Sequence, residues 1–425
     1  MRLKARVFAT LLIASTAFAQ PPKDKPDVVK IDDSIYEVMG PGGSHTFLIL
    51  TPGGNVVVDT SNPSVGPLHA EALKAISKAP VRYIVLTHAH FDHTGGISHW
   101  KETGTHIVAQ REQIEFRNYE RRLNNFYATR NEAQFGHPYP KDAQWAGNFG
   151  ATQLADIFFD DKYEFMVGGV KFELYHTPGE TPDHLTVWIP QFKAAFTGDN
   201  YGFFGNDIPD PFPSLYTLRG TEPRWALDYI GSMNRILALK PDVLLPSHGL
   251  AVHGNAEITR RLTKYRDAIQ YVHDATVKGM NAGRDVYTLM NEIHLPPEFG
   301  VGDAGGRVSW SVRGIYQGYV GWFDKKPETM YETPVTAVYG DVVRLAGGPD
   351  GIVKLAQERI QNGKPVEALH LTSIALAADA SNRGALETRL KALELLQAAC
   401  QNGPEMGWLA YAIRDTNQKL RPAAH

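Results

Sequence analysis

One cysteine, Cys400, stands in a chain of 425 residues. That excludes an internal disulfide and removes the thiolates on which most closed zinc sites depend. No apolar run approaches the roughly 20 residues of a membrane-crossing helix, so no membrane anchor is expected. Lys and Arg (43) nearly balance Asp and Glu (46), for a formal net charge of −3. No run of like charge breaks that balance, so no nucleic-acid partner is expected. What remains is a globular composition, 43% hydrophobic and 21% charged. The length suits two domains and allows a core that holds without covalent staples.

Residues 1–19 read MRLKARVFATLLIASTAFA. A basic start (Arg2, Lys4, Arg6), a short apolar stretch and an Ala17-Phe18-Ala19 cleavage site follow one another in the order of a secretory signal peptide. They predict a secreted or periplasmic protein. Residues 20–27, rich in Pro and Lys, read as a loose new terminus.

The chemistry is concentrated in Thr87-His88-Ala89-His90-Phe91-Asp92-His93-Thr94-Gly95-Gly96. Three histidines and an aspartate fall within six residues, directly after the apolar run 81–86. Imidazole and carboxylate are the ligands zinc takes when thiolate is lacking. The apolar run predicts a buried strand emptying into a loop, and Thr94-Gly95-Gly96 predicts the start of a helix. His88 and His90 alternate and can meet at one ion, while Asp92 and His93 can face a second. Each ion then needs ligands from elsewhere in the chain.

Strands are predicted at 34–40, 45–51, 55–60 and 105–109, with a helix at 67–78. Residues 110–130 read as helical and 131–149 as irregular, either a substrate wall or a packing contact. A hairpin turns at Gly168-Gly169. His184 is the first missing ligand, at the edge of strand 185–189 after a Pro/Gly loop; His176 is its competitor. Strand 194–197 runs into Asp199, whose two oxygens can bridge two cations. Strand 241–246 ends at His248. The residues thus form one set of His88, His90 and His184 and another of Asp92, His93 and His248, with Asp199 shared.

That order and spacing resembles the metallo-β-lactamase superfamily over about residues 28–280. The resemblance implies an α/β fold, an αββα sandwich with two Zn²⁺ ions at the sheet edges. Leu215-Tyr216-Thr217-Leu218-Arg219-Gly220 and the stretch from Ser311 to Asp324 look like its alkylsulfatase branch. So do the amphipathic segments 352–362, 365–379 and 382–400. This second resemblance implies an all-α dimerisation domain, and hence a homodimer. The expected organisation is a signal peptide (1–19), a catalytic domain (28–300) and a helical dimerisation domain (301–421), without the branch's sterol-carrier-like third domain.

The chain departs from the branch in four places. His184 stands where a carboxylate is expected, and Asp199 where Glu is. Pro213-Ser214, after an added segment 206–212, and Trp310-Ser311 replace two His-Asn pairs of the sulfate-binding region. Arg219, Arg224, Arg313 and Tyr316 are the residues left to hold a substrate anion.

The implied activity is hydrolysis of a small anionic ester, an alkyl sulfate or a relative, by metal-activated water that Asp92 and Asp199 help to place. A lactone, thioester, β-lactam or phosphoester would suit the same metal site. A non-enzymatic binding protein stapled by metal is the reading from a different class.

Overall fold

A computed structural model describes residues 25–139, 141, 155–202 and 211–421. The stretch 1–19, whose reading as a signal peptide carries the expectation of export, lies outside these residues. So do most of 206–212 and the end of the 131–149 stretch.

Among the described residues, thirteen strands form two sheets. The first holds β1 (Asp27–Lys30), β2 (Ile35–Met39), β3 (Thr46–Thr51), β4 (Gly54–Val58), β5 (Val81–Val85), β6 (His106–Gln110) and β7 (Ile157–Phe159), in that spatial order. Pairing is antiparallel from β1 to β4 and parallel from β4 to β7. The second holds β8 (Lys162–Val167), β9 (Val170–His176), β10 (Leu185–Ile189), β11 (Ala194–Gly198), β12 (Val243–Pro246) and β13 (Val252–His253). Here only β11 and β12 run parallel.

Two-residue periodicity sends alternate side chains to opposite faces. Phe47, Ile49, Val56 and Val58 enter the layer between the sheets, where they meet Phe172, Leu174, Val187 and Phe196. Leu48 and Val57 point the other way, with Leu73 of the helix Gly66–Lys74 and Trp100. Behind the second sheet, Trp188 and Leu244 share a core with the helices Ala226–Leu239, Asn255–Asn281 and Val308–Val320. The layers are therefore helix, sheet, sheet, helix. A helical tail follows: Pro349–Gln361, Pro365–Ala378, Arg383–Ala399 and Gly403–Leu420. Small clusters such as Val343, Ile352, Val353, Ala375 and Ala385 hold it together.

Two local expectations change. Thr94 closes a helical turn, Phe91–Thr94, instead of opening a helix; its hydroxyl donates to the His90 carbonyl at 3.1 Å. Gly96 is pressed against the backbone of Thr60 and Gly66, and a short 3-10 turn, Ile97–His99, follows it in place of a longer helix. Residues 131–135 continue the helix Asn124–Phe135, the second of two that follow β6.

Candidate metal centre

The site is built where strands run out. β4 ends before Asp59, β5 before Thr87 and His88, β11 before Asp199, and β12 before Ser247 and His248. Because β4/β5 and β11/β12 are parallel pairs, these four ends lie together at one edge of the sandwich. Strand ends fixed by a packed core give side chains a rigid aim.

Three groups of side chains bring their ligand atoms within 4.8 Å of one another and could hold a metal ion: His88, His93 and Asp199; Asp92, His93 and His248; His90, Glu180 and Asp199. His93 and Asp199 each belong to two groups, so the whole is one continuous cluster. His88, His90, His93 and Asp199 are all buried. Asp199 Oδ1 has no hydrogen-bond partner, and His93 Nε2 meets only carboxylate oxygens, Asp199 Oδ2 at 3.3 Å and Asp92 Oδ2 at 3.6 Å. Buried polar atoms left unpaired are expensive, and a cation supplies what they lack. The donor set of imidazole nitrogens and carboxylate oxygens fits a divalent ion such as zinc.

The titration of the cluster agrees. Burial, then the neighbouring His93 and His90, keeps His88 well below the usual imidazole range. His90 is lowered by burial and by Arg219, and burial takes His184 down to about 3. His93 is raised instead, because Asp199, Asp92 and Asp59 together outweigh its burial. His248 is raised against burial by Asp199 and Asp92. Burial pushes the Asp92 and Asp199 carboxyls up, but His93 and His248 outweigh it and hold both below the usual range. The carboxylates that raise His93 and His248 make this a place that favours positive charge, which a cation would supply on binding.

Asp59, which motif reading passed over, is the support of the cluster. Its Oδ2 accepts from His93 Nδ1 (2.8 Å), Thr87 Oγ1 (2.7 Å) and Ser247 Oγ (3.0 Å), and its Oδ1 from the Thr87 amide (2.8 Å). It ties the ends of β4, β5 and β12 together and fixes which His93 nitrogen faces the cluster. The available signal was its place at the end of a strand parallel to the metal loop's own strand. Outside it, Glu37 holds His45 Nδ1 at 2.6 Å, and the His45 amide donates to the Ser247 carbonyl.

His184 lies beside the cluster, its ring 5.0 Å from that of His88. Its Nε2 accepts from the Asp199 amide at 3.1 Å, and it belongs to none of the three groups. A Cβ at Gly198 would fall 2.4 Å from that Nε2, so glycine with φ of +51° is what lets the ring sit there. His176 bonds the Pro182 carbonyl at 2.7 Å, holding the loop that carries Glu180. Glu180 also escaped the sequence reading, since it stands mid-loop and not at a strand end. Its carboxyl is raised by burial, with Arg224 opposing.

Of the anion-holding candidates, Arg219 lines a pocket with His90, Asp92, Phe116, Glu120 and Tyr139. Arg224 is buried against Glu180, with which it forms an ion pair. Arg313 lies over the Tyr287 ring at 5.6 Å, and Tyr316 packs on the core behind the second sheet. Trp310 accompanies Arg307 at 5.6 Å, and Ser311 is buried. Glu120 is raised to about 7 by burial, with Arg117 and Arg219 opposing.

The metallo-beta-lactamase superfamily profile matches residues 39–248, which contain every member of the cluster, and that of alkyl sulfatase dimerisation matches 289–418. The chain belongs to the metallo-beta-lactamase superfamily. Within it, the pairing of these two regions is that of the alkylsulfatase-like branch. The chain is 28% identical to a linear primary-alkylsulfatase of Pseudomonas sp., over 88% of this chain and 74% of the relative. It is 27% identical to an alkyl/aryl-sulfatase of Saccharomyces cerevisiae, over 86% of this chain but 60% of that one. A solved stereoselective inverting sec-alkylsulfatase from Pseudomonas sp. shares the fold, with a TM-score of 0.79 at 22% identity over 94% of this chain and 66% of the other. The chain therefore spans about three-fifths to three-quarters of these relatives.

Proposed function

We propose that this superfamily member is an exported, metal-dependent hydrolase of sulfate esters, with alkyl sulfates as its first substrate class. The observation that carries the reading is the meeting of the buried His/Asp/Glu cluster with Arg219 in one pocket. The alkylsulfatase names of the relatives support the substrate class. Two ions, zinc first, would be held by His88, His90, Asp92, His93, Glu180, Asp199 and His248. Glu180 takes the place expected of His184, and His184 orients Asp199 through its amide. When bound, such ions make water nucleophilic near neutral pH and polarise an ester oxygen.

The chain's own groups do the rest. Arg219 offers the sulfate a planar fork of donors. Asp92, at the pocket edge, orients the attacking water. Glu120, with a carboxyl near 7, can carry the proton a departing alkoxide needs. Export rests on the leader at 1–19. Among the described residues no helix is long and apolar enough to cross a membrane.

A homodimer built through 301–421 belongs to the same proposal. Trp322, Tyr331, Val335 and Leu345 are 66–86% exposed along one short stretch, and such a patch calls for a partner surface. Replacing Tyr331 and Leu345 by Glu should give monomers by light scattering; a dimer that persists removes that stretch from the interface.

A second reading keeps the centre and changes the ester. Arg224 is spent on Glu180, and Trp310 and Ser311 pack elsewhere, so Arg219 is the one predicted anion donor in the pocket. A lactone, thioester or β-lactam asks less of it, and a phosphoester could use the same guanidinium. The deciding experiment follows sulfate release from dodecyl sulfate by metal-quantified protein, beside those other esters, with Asp199→Ala as control. Sulfate release lost in the variant supports the first reading. Metal-dependent cleavage of another ester alone supports the second. No turnover of any ester sinks both.

A further inference from the structure

Arg130 lies on the helix Asn124–Phe135, 89 residues before Arg219 in the chain. Its Nε donates to the Arg219 carbonyl and its Nη2 to the Leu218 carbonyl. One planar guanidinium thus grips two consecutive peptide groups of the loop that carries Arg219. Its own position is fixed by two aromatic rings: Phe126 from the same helix and Trp408 from Gly403–Leu420, with centroids 5.3 and 5.2 Å from the guanidinium carbon.

Trp408 is fixed in turn, since its Nε1 donates to Gln134 Oε1 at 3.0 Å. The two helices touch backbone to backbone there. A Cβ on Gly407 would fall 1.9 Å from the Gln134 carbonyl oxygen.

We infer that Arg130 is a positioning residue through which the C-terminal helical tail sets the Arg219 guanidinium at the pocket. The inference rests on the proposal that Arg219 holds the substrate anion. The loop 215–220 has no regular strand or helix to aim it. Without the fork, Arg219 would sample many orientations, and the entropy of ordering it would be charged to each binding event. Lysine keeps the charge but cannot bond two carbonyls in one plane. The structure thereby gives the tail a task at the pocket besides any contact with a second copy.

The test uses the full-length, metal-loaded protein with inorganic sulfate and dodecyl sulfate as probes. Arg130→Lys should weaken sulfate inhibition and raise KM by about tenfold, with a smaller change in kcat. Trp408→Ala should shift both in the same direction, and Trp408→Phe should restore them. The Trp408 pair asks the question without touching Arg130, so it stands even if Arg130→Lys does not fold. In an Arg219→Ala background, Arg130→Lys should add less than about twofold, the non-additivity of residues that act as a unit.

A merely structural role predicts a lower unfolding midpoint with sulfate affinity kept within about twofold, and additive double variants. Either result overturns the inference while leaving the role of Arg219 intact. If Arg219→Ala itself leaves sulfate affinity unchanged, the anion reading fails first and takes this one with it.

Discussion

The His/Asp/Glu cluster and Arg219, the proposed anion holder, face one pocket but are held in opposite ways. Asp199 and His248 stand one and two positions beyond strands buried in the inter-sheet core, His88 to His93 stand on the loop and helical turn that follow β5, and Asp59 cross-ties three of those strand ends. Arg219 stands on a loop, and its backbone is held by a side chain from a distant helix. Backbone geometry aims the first set, whereas packing between elements far apart in sequence aims the second. On the proposed reading, reaction chemistry is fixed by the sheet, and substrate choice is left to contacts that change without disturbing it.

Removing one residue from each region tests that contrast most strongly. Asp199→Ala should empty the centre of bound metal by elemental analysis. It should also lower kcat/KM by several kcal/mol of barrier, on the order of a thousandfold or more. Arg219→Ala should keep its metal and lose about 1.5–3 kcal/mol of anion binding, on the order of 10- to 100-fold in KM. If Arg219→Ala also loses metal, the two regions are not separable and the contrast fails.

A smaller effect is expected one layer behind the ligands. Asp59→Asn puts an amide where one carboxylate accepts four donors, so at least one of them must lose its partner. Metal affinity should fall by about 10- to 100-fold, as for other second-layer partners of a metal-bound histidine. Competition with a chromophoric chelator measures this directly. An unchanged affinity would mean that the strand ends hold His93 without the cross-tie.

The same contrast explains what could be read from the chain. The six-residue stretch from His88 to His93, and single residues after apolar runs such as Asp199 and His248, are local patterns that survive translation into strands and strand ends. Glu180 was missed because nothing local marks a mid-loop glutamate as facing His90. Arg224 looked like an anion donor because a sequence does not reveal that its partner, Glu180, is already beside it. Arg130 carried no signal at all, since its meaning lies in carbonyls 88 and 89 residues away. Individual strands and the tail helices were legible through their apolar spacing, whereas the sandwich that assembles the strands came only from the resemblance to the superfamily. The start at Thr94 was misjudged by a few residues: the helical turn Phe91–Thr94 ends there, and the next short turn, Ile97–His99, begins after Gly96.

The smallest effect on turnover and metal is expected at a residue that acts through folding stability. His69 is fully buried on the helix Gly66–Lys74, where Nε2 bonds the Gly40 carbonyl at 2.7 Å and Nδ1 lies 3.1 Å from Thr46 Oγ1. It steadies the loop leading to Ser44, whose hydroxyl donates to the Asp92 carbonyl at 2.6 Å. Burial lowers His69 to about 4. The unfolded chain, with an ordinary imidazole near 6.5, therefore takes up this proton first as pH falls. The stabilisation is complete above pH 6.5 and is lost on the way down to pH 4, by up to about 3 kcal/mol. Urea unfolding of wild type and His69→Gln at pH 7.5 and 4.5 isolates this share. The variant should be the less stable protein at pH 7.5, and the gap should narrow at pH 4.5. A gap that stays constant would show that His69 keeps its proton balance on folding, and that the support behind Asp92 is not pH-dependent at this position.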